Sequence, residues 1–212
     1  MAVDEYANGW IIACGKGSNE PGDSTLYIEY TEKTKLKSGK WNLPKRPAEG
    51  GVGDTVASGW FDDNDINRFG SQPWYPWRER IGHVVLVDSW QPKSCKYLFD
   101  GLCNCSDFNL LLLDTSSCVS LEGMFRGCTS VRDLFDLDRF NVSQVAKTDY
   151  MFMNCLGLKA VSLAGWNTDS IESTEGMFSG CTPYVLINDS QADFLDRVLG
   201  VGAQNGIWRK NC

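Results

Sequence analysis

The sequence predicts a repeat solenoid of short parallel strands and helical turns, with a β-rich cap at its N-terminal end and a helical cap at its C-terminal end. Three observations predict it. Three segments, Glu122-Gly-Met-Phe-Arg-Gly-Cys128, Asp149-Tyr-Met-Phe-Met-Asn-Cys155 and Glu175-Gly-Met-Phe-Ser-Gly-Cys181, share Met-Phe-x-x-Cys, and Phe125, Phe152 and Phe178 lie 27 and 26 residues apart. A degenerate copy, Tyr97-Leu98-Phe99, precedes Phe125 by 26 residues and is followed by Cys103 and Cys105. Other positions keep the same step. Six residues before each Met (or Leu98) stand Pro92, Cys118, Val145 and Ile171; eleven before stand Val87, Leu113, Phe140 and Trp166. A unit this small cannot bury its own apolar side chains, so units stack and equivalent residues form ladders.

Residues 1–80 lie outside this frame. Short stretches at 10–14, 25–30, 35–43 and 55–61 are β-rich and separated by Gly, Pro, Asn and Asp, which reads as a β subdomain capping the first rung, with a loop at 50–53. Residues 81–188 form the solenoid of about four to five rungs. Its strands are expected at 85–87, 111–113, 134–137 and 161–163, paired in parallel about 4.8 Å apart. Asp88, Asp114, Asn141 and Asn167 follow each strand, where a side-chain oxygen can satisfy backbone N–H groups of the turn. The Met-Phe segments are expected to form a short helical turn on the opposite side, pointing inward. Residues 189–212 open with a capping helix whose apolar face is Ala192, Leu195, Val198 and Leu199, ending near Gly200.

Composition narrows the function classes. The 212-residue chain has a formal net charge of −7 and a pI near 4.7, which argues against nucleic acid as a partner. A single histidine, His83, removes most zinc sites and most imidazole acid–base chemistry. The apolar run near the start is too short for a secretory leader, and no stretch has the length of a membrane span, so no membrane insertion is expected.

The pattern Asn-x-x-x-Val/Ile, then Met-Phe-x-x-Cys-x-x-Leu/Val-x-x-Leu/Val, resembles the BspA-like leucine-rich repeats of bacterial surface proteins. The lead-in from Ser71 to Val87 and the segment from Tyr184 onward also resemble that family, so the likeness covers about residues 71 to 200. It implies a leucine-rich-repeat solenoid used for adhesion or protein binding, without catalysis. The chain departs from the family in having few repeats, a short first repeat and no secretion signal.

The candidate site residues divide into two groups. The first is a structural ladder. Cys105, Cys128, Cys155 and Cys181 occupy one repeat position and are expected to face the core as small apolar residues, beside Phe125, Phe152 and Phe178. Asp88, Asp114, Asn141 and Asn167 form the turn column. Cys103-Asn-Cys105 has no second Cys pair to make a zinc site, and Cys95 could pair with Cys103 or Cys118 in an oxidising setting. Cys14 and Cys212 lie outside the frame.

The second group is a binding surface. Trp60, Trp74 and Tyr75 belong to an aromatic cluster that serves either as a sugar or protein surface or as the junction core. Strand positions expected to point outward are Leu86, Leu112, Asp136 or Asp138, and Ser162, with Arg132 and Lys159 nearby. Exposed Leu86 and Leu112 would form an apolar patch. Asp62-Asp-Asn-Asp65 fails the EF-hand pattern and reads as a solvated acidic turn. The Gly9–Lys16 segment lacks the spacing and the Ser/Thr of a phosphate loop.

These readings point to a non-enzymatic binding or adhesion protein, with no cofactor and no metal, whose partner is a protein or a cell-surface glycan. It would be a cell-surface adhesin if a leader is missing from this chain. Otherwise it would be a phage virion protein for receptor binding or decoration, touching other virion proteins. The competing class is a carbohydrate-active enzyme with paired carboxylates and aromatics in the N-terminal subdomain.

Overall fold

The computed structural model describes residues 6–14, 20–32, 55–61, 66–134, 136–181 and 183–200. The expected strand at 35–43, the loop at 50–53, Asp62–Asp65 and Cys212 lie outside the described residues.

Strands β1 (Tyr6–Cys14), β2 (Ser24–Glu32) and β3 (Thr55–Phe61) open the chain. β1 pairs antiparallel with both β2 and β3. Alternation drives the burial: Trp10 and Ile12 on β1, and Leu26 and Ile28 on β2, face one side and are buried. β4 (Ile81–Leu86) then pairs in parallel with β2, and β5 (Asp107–Asn109) in parallel with β4. One five-stranded sheet, ordered β3-β1-β2-β4-β5, therefore runs from the N-terminal hairpin into the repeats without a break at residue 80. A second sheet contains β6 (Asp133–Leu134), β7 (Ala160–Ser162) and β8 (Tyr184–Leu186), all parallel.

The other wall of the stack is a ladder of turns. Three N–H groups of each unit donate to carbonyls of the next. Tyr97, Gly123 and Tyr150 reach Glu122, Asp149 and Glu175; Phe99, Phe125 and Phe152 reach Met124, Met151 and Met177; Gly101, Gly127 and Asn154 reach Arg126, Met153 and Ser179. The intervening N–H groups close three-residue turns, such as Met124 to Leu121 and Arg126 to Gly123. The segment expected to be a helical turn is thus a run of tight turns, with every second N–H spent between units. Met124, Phe125, Met151 and Phe152 point inward and are fully buried. Phe125 and Phe152 stack at 5.8 Å and 4°, and Phe152 and Phe178 at 5.1 Å and 8°.

Two positions of this ladder sit at positive φ. The first is held in successive units by Tyr97, Gly123, Tyr150 and Gly176. Each tyrosine ring covers the glycine of the next unit, so closely that a Cβ on Gly123 would lie 2.3 Å from the Tyr97 ring. Tyr97 Oη then donates to Glu122 at 2.8 Å, and Tyr150 Oη to Glu175 at 2.5 Å. Tyrosine and glycine alternate because the ring of one unit occupies the space that a side chain in the next would need.

The cysteines at the repeat position tie units together. Cys128, Cys155 and Cys181 Sγ donate to the carbonyls of Phe99, Phe125 and Phe152 at 3.2, 3.0 and 3.2 Å. Cys105, Cys128 and Cys155 are fully buried and Cys181 half-buried. At the turn column, the side-chain oxygens of Asp114, Asn141 and Asn167 accept from the N–H two residues on, in Ser116, Ser143 and Asp169, at 2.9 to 3.1 Å.

The C-terminal end is closed by a short 3-10 turn, Asp189–Gln191, and helix α1 (Ala192–Gly200). Buried Gln191 donates to the carbonyls of Leu163 and Trp166 at 2.6 and 2.7 Å. Phe194, Leu195 and Val198 of α1 are buried, and Phe194 meets the Trp166 ring at 6.4 Å. Phe194 therefore belongs to the covering face with Leu195 and Val198; the side chains of Ala192 and Leu199 lie outside the description.

Several expectations are corrected. Trp74 is 1% exposed, its ring set edge-on to Phe61 at 5.2 Å and to Trp10 at 6.4 Å, so it is junction core and offers no surface. Leu86 is 3% exposed, because the run from Val84 to Val87 carries no alternation that fixes its phase, and Val84 and Leu86 take the inner side. Ser162 is 6% exposed, at a β7 position paired with Leu186. The strand expected at 111–113 is β5 at Asp107–Asn109, and only Leu113 makes an isolated parallel bridge, to Trp90. The strand expected at 134–137 ends at Leu134, and Asp136–Arg139 is a 3-10 turn.

Candidate functional site

Where the turn ladder hands over to the strands, the chain lines an open groove of about 860 Å³. Its floor is built by close backbone approach: a Cβ on Gly157 would lie 2.4 Å from the Thr129 carbonyl oxygen, so neighbouring units meet there without side chains between them. Its lining carries hydroxyls and an amide, from Ser106, Thr129, Ser130 and Asn104. Two of these are anchored, Thr129 Oγ1 donating to the Cys103 carbonyl at 2.9 Å and Asn104 Nδ2 to the Glu79 carbonyl at 2.7 Å.

The rest of the lining follows the strand entries. Lys159 N–H donates to the Arg132 carbonyl at 2.6 Å, and Tyr184 N–H to the Lys159 carbonyl at 2.7 Å. Arg132, Lys159 and Tyr184 therefore succeed one another across three units, all exposed. Leu156 and Tyr184 are 69% and 59% exposed, unusual for large apolar side chains. None of the described residues lining the groove is acidic. Arg126 pairs with Asp100 at 2.7 Å and Lys96 with Glu122 at 2.8 Å, whereas Arg132 and Lys159 make no ion pair among the described residues. In a chain of net charge −7, two unpaired cations facing one groove create a local field opposite to that of the whole protein.

A smaller cleft of about 280 Å³ lies at the break between β5 and β6, lined by Asp107, Asp133 and Asp136 with Phe108 and Leu134. His83 Nδ1 stands 3.6 Å from Asp107 at its edge, both side chains exposed. Among the described residues, no three His, Cys, Asp or Glu side chains come close enough together to hold a metal ion.

Of the residues expected to bind, Lys159 is the one in the groove, and Arg132 lies beside it. Asp136 and Asp138 are exposed on the turn after β6, with Asp136 at the acidic cleft. Leu112 is exposed next to Leu111 and lines neither the groove nor the cleft. Tyr75 is half-buried, with Arg78 over its ring at 4.5 Å and exposed Phe69 edge-on at 5.8 Å; the Trp60 side chain lies outside the description. Arg126 also covers Phe69, at 4.3 Å, while its Nε holds the buried Asp100. Burial pushes the Tyr97 hydroxyl beside this cluster up to about 12, aided by its hydrogen bond to Glu122. Counted from the cysteine, Tyr184 keeps step with the inward Leu158, which predicts burial; the structure exposes it instead, in the groove with Leu156.

No helix of the described residues is long and apolar enough to cross a membrane. No curated protein and no solved structure matches the chain. Residues 82–188, about half of the chain and the whole of the stacked repeats, match the profile of a family described as "Mycoplasma protein of unknown function, DUF285", and the chain is a member of that family.

Proposed function

We propose that this chain is a non-enzymatic binding protein of the BspA-like leucine-rich-repeat type, a short solenoid displayed at a cell surface that holds its partner in the groove of Arg132, Lys159 and Tyr184. One observation carries the reading: two exposed cations, unpaired among the described residues, stand beside an exposed ring and an exposed leucine in an open groove. Exposed apolar side chains rimmed by polar groups mark interaction sites, and aromatic and cationic residues dominate binding energy where they cluster. The stacked units supply the rigidity that such a surface needs, since backbone hydrogen bonds tie Lys159 to Arg132 and Tyr184 to Lys159 across neighbouring units.

The test is binding of the fluorescently labelled full chain to intact host cells. Saturable binding, competed by unlabelled protein and abolished by the pair Arg132→Glu and Lys159→Glu, is the expected result. Binding that is absent, or that survives charge reversal in a folded variant, overturns the reading.

A further inference from the structure

Resting on that reading, we propose the chemical class of the ligand: the groove binds an anionic oligosaccharide, a run of sugar rings bearing carboxylates or sulfates. Arg132 and Lys159 stand level on two successive units, about 4.8 Å apart at the strand spacing, and Tyr184 lies on the third unit one residue further along its strand, paired with Ala160, so a polymer crossing the units at a slant meets one of these side chains per rung. Cations at two steps and a flat exposed ring at the third suit a chain of rings with regularly placed negative charge. The rest of the polar lining matches the rest of a sugar's surface. Ser106, Ser130 and Thr129 offer hydroxyls, and the Thr129 hydroxyl already donates to Cys103, which orients its lone pairs as acceptors.

The same geometry disfavours an extended acidic peptide. A peptide added to a sheet draws its affinity from main-chain hydrogen bonds at a free edge. In the groove the main chain is already committed: the N–H groups of Lys159 and Ala160 both go to Arg132 O, and that of Tyr184 to Lys159 O. A ligand here must therefore be recognised through side chains, and those present are cations, hydroxyls and a ring. No described lining residue is acidic, so the charges that a polyanion meets first in the groove are the cations Arg132 and Lys159.

The proposal is tested by calorimetric titration of the full chain with a sulfated heparin-derived octasaccharide, an oligogalacturonate, neutral maltohexaose and poly-glutamate. One or both anionic sugars should bind, more weakly as salt rises, and the neutral sugar should not. Which of the two binds assigns the anion as sulfate or carboxylate. Arg132→Gln and Lys159→Gln should each raise Kd about tenfold, and Tyr184→Ala should raise it several-fold. Lys147→Ala, in the Ser120–Lys147–Ser173 ladder outside the groove, should leave Kd unchanged. Each variant is first checked for an unaltered melting profile, and Tyr184→Phe, which keeps the ring, should restore most of the affinity. Failure of both anionic sugars to bind, indifference to the groove substitutions, or equal affinity for poly-glutamate overturns the proposal. If the chain still binds cells through Arg132 and Lys159 while no sugar binds, the binding function stands and the ligand class falls.

Discussion

Cys128 and Cys155 lie fully buried, each spending its thiol proton on a carbonyl of the preceding unit. Burial pushes both thiols well above their ordinary range, and pushes Cys181 up to about 12. Because the thiolate is the reactive form, native protein at pH 8 should leave Cys128 and Cys155 unmodified by iodoacetamide, while unfolded protein reacts at all nine cysteines. Peptide mapping by mass spectrometry reads this directly, and native modification of Cys128 or Cys155 at the unfolded rate would refute it. Cys118 differs: its hydrogen bond with the Cys95 thiol holds it below its ordinary value in spite of burial. Asp114 gives a pH prediction at the same scale. Hydrogen bonds from Ser116 hold its carboxyl below the usual range, opposed by slight burial and helped by Gln91. A lowered folded value means that the contribution is present above the unfolded value near 3.9 and lost as pH falls through the folded one. Asn already holds this column at Asn141 and Asn167, making the same acceptor bond. Asp114→Asn should consequently change stability at pH 7 by less than about 0.5 kcal/mol and remove this site's share of acid sensitivity, measured by melting between pH 2 and 7.

The element that most shapes the stack is the turn ladder, and its alternating Tyr–Gly column makes a double-mutant prediction. Gly123→Ala places a Cβ against the Tyr97 ring at a residue with φ of 61°, so it should cost about 1–3 kcal/mol. Removing the ring relieves the clash but leaves the backbone strain, so Tyr97→Ala with Gly123→Ala should be less destabilised than the sum of the two single changes by about 0.5–2 kcal/mol. Strict additivity in urea melts would mean that ring and glycine do not share that space. At the C-terminal end, Gln191→Ala leaves the carbonyls of Leu163 and Trp166 without their donor and should cost about 1–3 kcal/mol. The period of the stack was legible in the sequence because Phe and Cys recur at one step wherever a whole unit intervenes. Register within a unit was not, for a countable reason. From the cysteine to the buried strand residue there are six positions in two units, Cys128 to Leu134 and Cys155 to Val161, but three from Cys105 to Phe108 and four from Cys181 to Val185. Counting from the cysteine therefore put Tyr184 in step with buried Leu158, whereas it pairs with Ala160 and lies exposed in the groove. The same shift moved the first unit's strand from the leucine run back to Asp107–Asn109, leaving Leu111 and Leu112 outside. Lys159 was legible as a cation beside a strand; the groove was not, because it is made by residues from several units whose loops differ in length.

At the scale of the molecule, the two sheets part between β5 and β6, yet one hydrophobic core runs through both. The N-terminal strands join the repeats through the β2–β4 pairing and through the cluster of Phe61, Trp74 and Trp90, whose rings lie 5.2 and 5.6 Å from Phe61. Across the sheet break, coupling passes through the turn ladder, the Ser120–Lys147 bridge, the Thr115 hydroxyl on the Asn141 carbonyl and the inner side chains. Phe125 holds that place: it packs on Phe99 at 5.7 Å and Phe108 at 5.2 Å on one side and stacks on Phe152 at 5.8 Å on the other. Stability in stacked repeats is close to a sum of unit terms and nearest-neighbour terms, so weakening one interface separates the blocks on either side. Phe125→Ala should thus do more than remove about 3–5 kcal/mol of packing. It should split one unfolding transition into two, an N-terminal block followed by tryptophan fluorescence at Trp10, Trp74 and Trp90, and a C-terminal block followed at Trp166. Phe178→Ala, beyond the last stacked partner Phe152, should lower the melting temperature and keep a single transition. Hydrogen exchange on both variants checks this: amides of β4 and β7 should exchange together in the Phe178 variant and at different free energies in the Phe125 variant. Equal exchange on both sides of Phe125→Ala would show that the backbone ladder alone carries the coupling and that the phenylalanine stack adds stability without cooperativity.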